Sequence, residues 1–244
     1  MSEYDVWAEV YDLLYGDYRD DVEFYKNEAV KAGGKVLEVG CGTGRIYLEL
    51  LREGLDIYGI DISPMMLKIL REKAESMGLT PKVYLADMRR FELGERFKLI
   101  IIPFRTFLHN LTVKDQLDTL MCCRRHLLRG GKLILNFFNP DPWKMVEYIG
   151  KEQSEIIESR GEKYRLVKRS RFIDEVDQIV EVAYELRRGD YVVWRGSIKV
   201  KYVYKREFEL LLRLAGFRRW RVYGGFNYEP LKSYKQEMVW IIEK

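Results

Sequence analysis

The chain has 244 residues, 47% of them hydrophobic and 33% charged, with a net charge of +4. This is enough for one substantial α/β core with a small appended unit, and too even a charge balance to mark a nucleic-acid-binding protein by itself. No apolar run is long enough to span a bilayer, and the opening MSEYDVWAEV lacks the basic-then-apolar order of a signal peptide, so a soluble, cytoplasmic protein is expected. The three cysteines, Cys41, Cys122 and Cys123, are odd in number and two are adjacent, which suits neither a disulfide framework nor a metal site. With only His109 and His126 in the chain, no His-based metal centre is expected.

Residues 3–31 read as a helical cap. Val6, Val10, Leu13 and Leu14 fall along one side, interleaved with Tyr4, Trp7, Tyr11 and Tyr15. Gly16 breaks this run, and a second helix over 20–31 ends at Gly33-Gly34. Next, Val36, Leu37 and Val39 form a short apolar strand. Gly40, Gly42 and Gly44 follow, and an amphipathic helix starts at Arg45. Strand, glycine turn and helix bring backbone N–H groups and a helix N-terminus up to a polar ligand. The spacing is G-x-G-x-G. A dinucleotide fingerprint needs a third glycine where Arg45 stands, which counts against a nicotinamide or flavin dehydrogenase.

The stretch VLEVGCGTGR (36–45) resembles motif I of the class I S-adenosylmethionine-dependent methyltransferases. Glu38 stands where that family keeps an acidic residue, two positions before the first glycine. The resemblance implies S-adenosylmethionine as cofactor, held by Glu38, Gly40, Cys41 and Gly42. The YDLLY stretch (11–15) resembles a Y-D-x-x-Y segment that lies over the cofactor in many small-molecule methyltransferases, which implies Tyr15 on the cofactor and Tyr11 orienting the nucleophile. Plain packing is the alternative for both.

LDIYGID (55–61) reads as the second strand, ending at Asp61 about twenty residues past the glycine turn. An ionised carboxylate only accepts hydrogen bonds, which suits the two hydroxyls of a ribose. Asp61 is not needed as a helix cap, because Ser63 before Pro64 fills the N-cap and N1 positions. GIDISPMML resembles the family's next segment, and implies that Ile62 packs on the adenine face. KVYLAD (82–87) is the third strand. By the same resemblance Asp87 takes the adenine amino group and the Met88 N–H meets the ring.

KLIIIPF (98–104) is a doubly buried fourth strand. The loop after it, from Phe104 through His109, lies where open α/β sheets bind ligands. It lacks the N/D-P-P-Y/F signature of enzymes that methylate nucleobase amines, and NPDPW (139–143), after the next strand, does not replace it. Phe104 is assigned to the cofactor site. His109 resembles a histidine at this place in some sugar-amine and glycine N-methyltransferases, which implies a general base. The alternative is that His109 caps the following helix or packs beneath the loop. A helix over 112–128, stopped by Gly130-Gly131, leads to a fifth strand over 130–138.

From 154 to 204 the helical period gives way to alternation, with a hairpin signal at Arg188-Gly189-Asp190. About three antiparallel strands are expected, rich in basic residues such as Lys163, Arg165, Lys168, Arg169 and Arg171. They read as a solvated face, a subunit interface or an RNA-binding face. A helix over 205–217 and a closing antiparallel pair, 218–226 and 237–244, complete the chain.

The fold expected is a Rossmann-like, doubly wound, seven-stranded and mostly parallel sheet of order 3-2-1-4-5-7-6. Residues 1–150 and 205–244 make the cofactor domain, and 151–204 make an inserted antiparallel lid or interface. The activity expected is direct displacement of the methyl group by an amine or hydroxyl of a small molecule, in a monomer or homodimer, with nucleic acid disfavoured as a partner and no membrane partner. An RNA methyltransferase using the basic insert and a non-catalytic S-adenosylmethionine-binding protein are the alternatives.

Overall fold

A computed structural model describes residues 4–159 and 161–244. Residues 1–3, of which Glu3 opens the expected cap, and Arg160 within the insert lie outside the described residues.

Two sheets organise the described residues. The larger has seven strands: β1 (Val36–Val39), β2 (Ile57–Asp61), β3 (Lys82–Leu85), β4 (Phe97–Ile102), β5 (Leu127–Phe138), and the late pair Arg219–Tyr223 and Glu237–Glu243. Its order, read from the edge, is β3-β2-β1-β4-β5 followed by 237–243 and then 219–223. This is the expected topology, with the last strand inserted antiparallel beside β5. β1 pairs in parallel with both β2 and β4, so Glu38 faces Gly59 and Ile101.

Alternation along the buried strands sends side chains to two helical layers. Ile100 and Ile102 face a layer that includes α5 (Val113–His126) and α7 (Lys205–Leu214) through Leu120, Phe208 and Leu212. Leu99 and Ile101 face α2 (Val22–Ala32), α3 (Tyr47–Arg52) and α4 (Pro64–Ser76), through Tyr25, Leu50, Leu67 and Leu70. α4 starts as expected, with the Ser63 hydroxyl accepting from the Met66 N–H and Pro64 at the first position. The thiols are free and buried, and burial pushes those of Cys41 and Cys123 up in pKa. Among the described residues no helix is long and apolar enough to cross a membrane.

Three local expectations are corrected. The N-terminal run is not one helix but a 3-10 turn, Asp5–Trp7, followed by α1, Tyr11–Tyr15. α5 runs straight into β5 at Leu127, and Gly130 and Gly131 fall in a register shift between β4 and β5 instead of ending the helix. After α6 (Pro142–Tyr148), the insert has four strands in sequential antiparallel order: β6 (Glu152–Ser159), β7 (Glu162–Asp174), β8 (Ile179–Arg188) and β9 (Tyr191–Lys201). The late pair of the large sheet is therefore β10 and β11.

One face of the insert packs on the cap. Trp7 is buried between the rings of Tyr184 and Trp194, with centroids 4.9 and 4.7 Å away in edge-on geometry, and Trp194 Nε1 donates to the Val6 carbonyl. The other face carries a ladder of cross-strand ion pairs, among them Arg169 with Glu152, Arg171 with Glu181 and Arg195 with Glu185.

Candidate active site

The carboxyl ends of β1, β2 and β4 open onto a cavity of about 480 Å³. Its roof is the insert, through Val182, Tyr184, Ile198 and Val200, and its side wall is the cap. Of the residues singled out in the sequence, Gly40, Gly42, Asp61, Ile62, Asp87, Met88, Phe104, His109, Tyr11 and Tyr15 all line it. Glu38 and Cys41 do not. Cys41 is buried with its sulfur toward Gly59, where an added Cβ would meet it at 2.9 Å.

The glycine turn is shaped around Asp61. Gly42 has φ +52° and a Cβ there would meet nothing within 4 Å, so this face of the turn is open. Asp61 Oδ2 accepts from the Gly42 N–H and Oδ1 from the Ser63 N–H, both at 2.8 Å. Burial raises the Asp61 carboxyl, and those N–H groups pull it back. One carboxylate thus ties the β1 turn to the start of α4 and retains lone pairs for a diol, since each oxygen accepts more than once. Beneath the turn, Glu38 is 3% exposed and its Oε2 has no hydrogen-bond partner among the described residues. Burial drives its pKa well up, against the pull of Arg45. A buried acceptor without a donor is costly, and a cationic group entering beside it would relieve that cost.

Asp87 is differently placed from the simple expectation. Arg89 forks onto it, Nε at 2.9 Å from Oδ1 and Nη2 at 2.6 Å from Oδ2, while its backbone N–H donates to the same carboxylate. Arg89 also bonds Asp115. These contacts hold the Asp87 carboxyl below its usual range. An adenine amino group at Asp87 must share that carboxylate with Arg89.

The opposite wall is aromatic. Tyr15 meets Phe104 with ring centroids 5.1 Å apart, and Tyr11 meets Tyr15 at 5.2 Å. Burial raises the pKa of both phenols, which keeps them neutral. Phe104 and Arg105 have φ of +53° and +66°, an unfavourable region for side-chain-bearing residues. Buried Asn136 on β5 holds this turn: its Oδ1 accepts from the Phe104 N–H at 2.9 Å and from the Tyr25 hydroxyl at 2.7 Å. Its Nδ2 donates to Glu237, which pairs with Arg105. Arg45, where a dinucleotide site would have glycine, forks onto buried Asp21 and lies 4.9 Å over the Phe104 ring.

His109 ends a 3-10 turn, Thr106–His109. It does not cap α5, whose N-cap is Thr112. Its Nδ1 lies 3.0 Å from the Tyr4 hydroxyl. Burial pushes its pKa down to about 4, against a hydrogen bond with the Lys199 backbone. The ring is therefore neutral at physiological pH. Sequence reasoning missed Tyr4, Arg89 and Asn136 as parts of this site. Only Asn136 carried a signal, a lone amide within the apolar strand LILNFF.

A doubly wound sheet with a glycine turn and acidic residues at the ends of β2 and β3 defines the class, an α/β enzyme built for a nucleoside-bearing ligand. Residues 36–131 match the family model described as a methyltransferase domain. Over 143 residues the chain is 39% identical to a phosphatidylethanolamine N-methyltransferase of Cereibacter sphaeroides, covering 57% of this chain and 68% of that protein. It is 27% identical to the dTDP-3-amino-3,4,6-trideoxy-alpha-D-glucopyranose N,N-dimethyltransferase of Streptomyces venezuelae, covering 56% of each. The chain spans 65% and 42% of two methyltransferases of a Geobacillus species. The CcbJ methyltransferase of Streptomyces caelestis shares the fold, with a TM-score of 0.82 at 22% identity over 99% of this chain and 97% of that one. So does an S-adenosylmethionine-dependent methyltransferase of Clostridium acetobutylicum, with a TM-score of 0.79 at 17% identity over 99% of both. The chain belongs to the class I S-adenosylmethionine-dependent methyltransferases. The orphaned Glu38 oxygen, the open face of Gly42 and the acceptor-only ends of β2 and β3 fit its cofactor.

Proposed function

We propose that this enzyme methylates the nitrogen of a small-molecule amine. S-adenosylmethionine supplies a methyl group already activated on a sulfonium, so the protein's work is chiefly alignment. Asp61 takes the ribose, Asp87 with the Met88 N–H takes the adenine edge, and Glu38, buried beneath the glycine turn, acts on the cationic end through that turn. Tyr11, Tyr15 and Phe104 present ring faces to positive charge, which they attract.

The observation that carries this reading is the Tyr4–His109 pair in the wall of the cavity. A neutral imidazole places no positive charge beside a sulfonium. With its proton on Nε2 it accepts from the Tyr4 hydroxyl, leaving the phenolic oxygen to accept from an incoming N–H. The depressed pKa argues against His109 as the proton carrier expected from the sequence, because so weak a base draws little from an ammonium ion. His109 and Tyr4 orient the nucleophile, and the amine enters unprotonated. The same names come from the relatives: a phosphatidylethanolamine and an amino-sugar enzyme both methylate nitrogen. The insert is read as a lid. Lys163, Lys168, Arg169 and Arg171 face carboxylates across the strands, which favours a solvated outer face over RNA binding.

The test is kinetic. Tyr4→Phe and His109→Ala should lower kcat by about 10²-fold while S-adenosylhomocysteine affinity stays within about twofold. The rate with wild-type enzyme should rise with pH along the acceptor's own amine titration. An unchanged rate per folded molecule in both variants would remove the pair from the reaction.

A further inference from the structure

The cavity over the sheet does not end at the reacting centre. A second cavity of about 340 Å³ adjoins it, and the two share Arg105, Phe138, Val182 and Val200 as walls. This second compartment lies between α6, the inner face of the insert and the 234–237 segment. The polar groups of its wall divide unequally. Asp141 is engaged as the N-cap of α6, accepting from the Trp143 and Lys144 N–H groups. Glu237 is engaged by Arg105 and Asn136. Lys144 and Lys235 also line it, and among the described residues neither ammonium has an ion-pair partner. Tyr148, Tyr202 and Tyr234 supply ring and hydroxyl surface.

We propose that this compartment binds the non-reacting part of the acceptor, and that this part carries a phosphate ester read by Lys144 and Lys235. The assignment rests on the methyltransferase reading above. Its logic is charge and size. Lys144 and Lys235 outnumber Asp141, the one carboxylate of the wall that is held by backbone N–H groups and not by a cation, and the excess of positive charge favours an anion. The volume suits a compact polar moiety and is far too small for two acyl chains, which favours a soluble ester over an intact phospholipid. Arg105 stands at the junction, its guanidinium paired with Glu237, so that pair adds no net charge to the wall.

The experiment titrates the full chain, saturated with S-adenosylhomocysteine, with three probes: inorganic pyrophosphate, thymidine diphosphate and O-phosphoethanolamine. Calorimetry should detect at least one of them, with affinity falling as salt rises. The double variant Lys144→Glu, Lys235→Glu should weaken that probe at least tenfold while keeping S-adenosylhomocysteine affinity within twofold. A nucleoside diphosphate preference would identify a nucleotide-linked acceptor, and a phosphoethanolamine preference a headgroup-like one; each supports the proposal. No binding of any probe to wild type, or equal binding to the double variant, overturns it. Failure of S-adenosylhomocysteine itself to bind wild type would instead overturn the methyltransferase reading beneath it.

Discussion

Asp61→Ala removes two things at once, and they can be measured separately. In the folded protein the carboxylate accepts from Gly42 and Ser63, each at 2.8 Å. A hydrogen bond to a charged group contributes about 1.5–3 kcal/mol. Two are lost, but water entering the space left by the side chain recovers part of the cost, so a net loss of about 3 kcal/mol is expected. The ribose diol loses its acceptor too, which should weaken S-adenosylhomocysteine by roughly tenfold or more, about 1.4 kcal/mol per decade. Urea denaturation gives the first quantity as a lower midpoint with an unchanged slope. Calorimetry on the folded variant gives the second. Asp61→Asn keeps one acceptor oxygen and should lie between the two. Stability equal to wild type would refute the hydrogen-bond argument. Unchanged affinity in a folded variant would refute the ribose assignment.

Other expectations follow from groups held away from their usual charge. Because burial raises the Glu38 carboxyl, the stability this group contributes is full at low pH and is lost as pH rises toward its folded pKa; Glu38→Gln should match wild type near pH 4 and exceed it at pH 8 in ligand-free thermal melts. His109 has the opposite linkage. Its pKa drops from 6.5 to about 4 on folding, so between those values the unfolded chain binds the extra proton and stability falls as pH falls, by about 3 kcal/mol; His109→Asn should flatten that part of the curve. Asp21→Ala strands the Arg45 guanidinium in the interior and should cost about 3–5 kcal/mol, read by denaturation. Filter binding at low salt should find no RNA affinity in the intact protein, since the insert's Lys168, Arg169 and Arg171 each face a carboxylate; tight, salt-sensitive binding would revive the RNA alternative.

Much of the fold was legible because its signals are local. Apolar runs at β1, β2 and β4, glycines at the first turn and the Ser63-Pro64 start of α4 each declare themselves within a few residues. Asp61 and Asp87 were legible as strand ends because parallel strands put their carboxyl ends on one face. What escaped the sequence depends on distance along the chain. Tyr4 reaches His109 across 105 positions, and Trp7 is fixed by rings from β8 and β9. β6, with the sequence EQSEIIES, is a largely exposed edge strand with few apolar residues to reveal it. His109 shows the same dependence on distance: the residue type left a base and a packed side chain both open, and the cap and insert that bury it are seen only once assembled.

Methyl transfer to nitrogen is expected in the cavity walled by Tyr4 and His109. The most direct measurement is transfer of labelled methyl from S-adenosylmethionine to matched panels of small amines and alcohols, with S-adenosylhomocysteine release followed alongside. Labelled amines are expected, at a rate that climbs through each amine's own pKa, with loss of transfer in Tyr4→Phe. Labelling confined to the alcohols, or no transfer to either panel by protein that binds S-adenosylhomocysteine, would contradict methyl transfer to nitrogen.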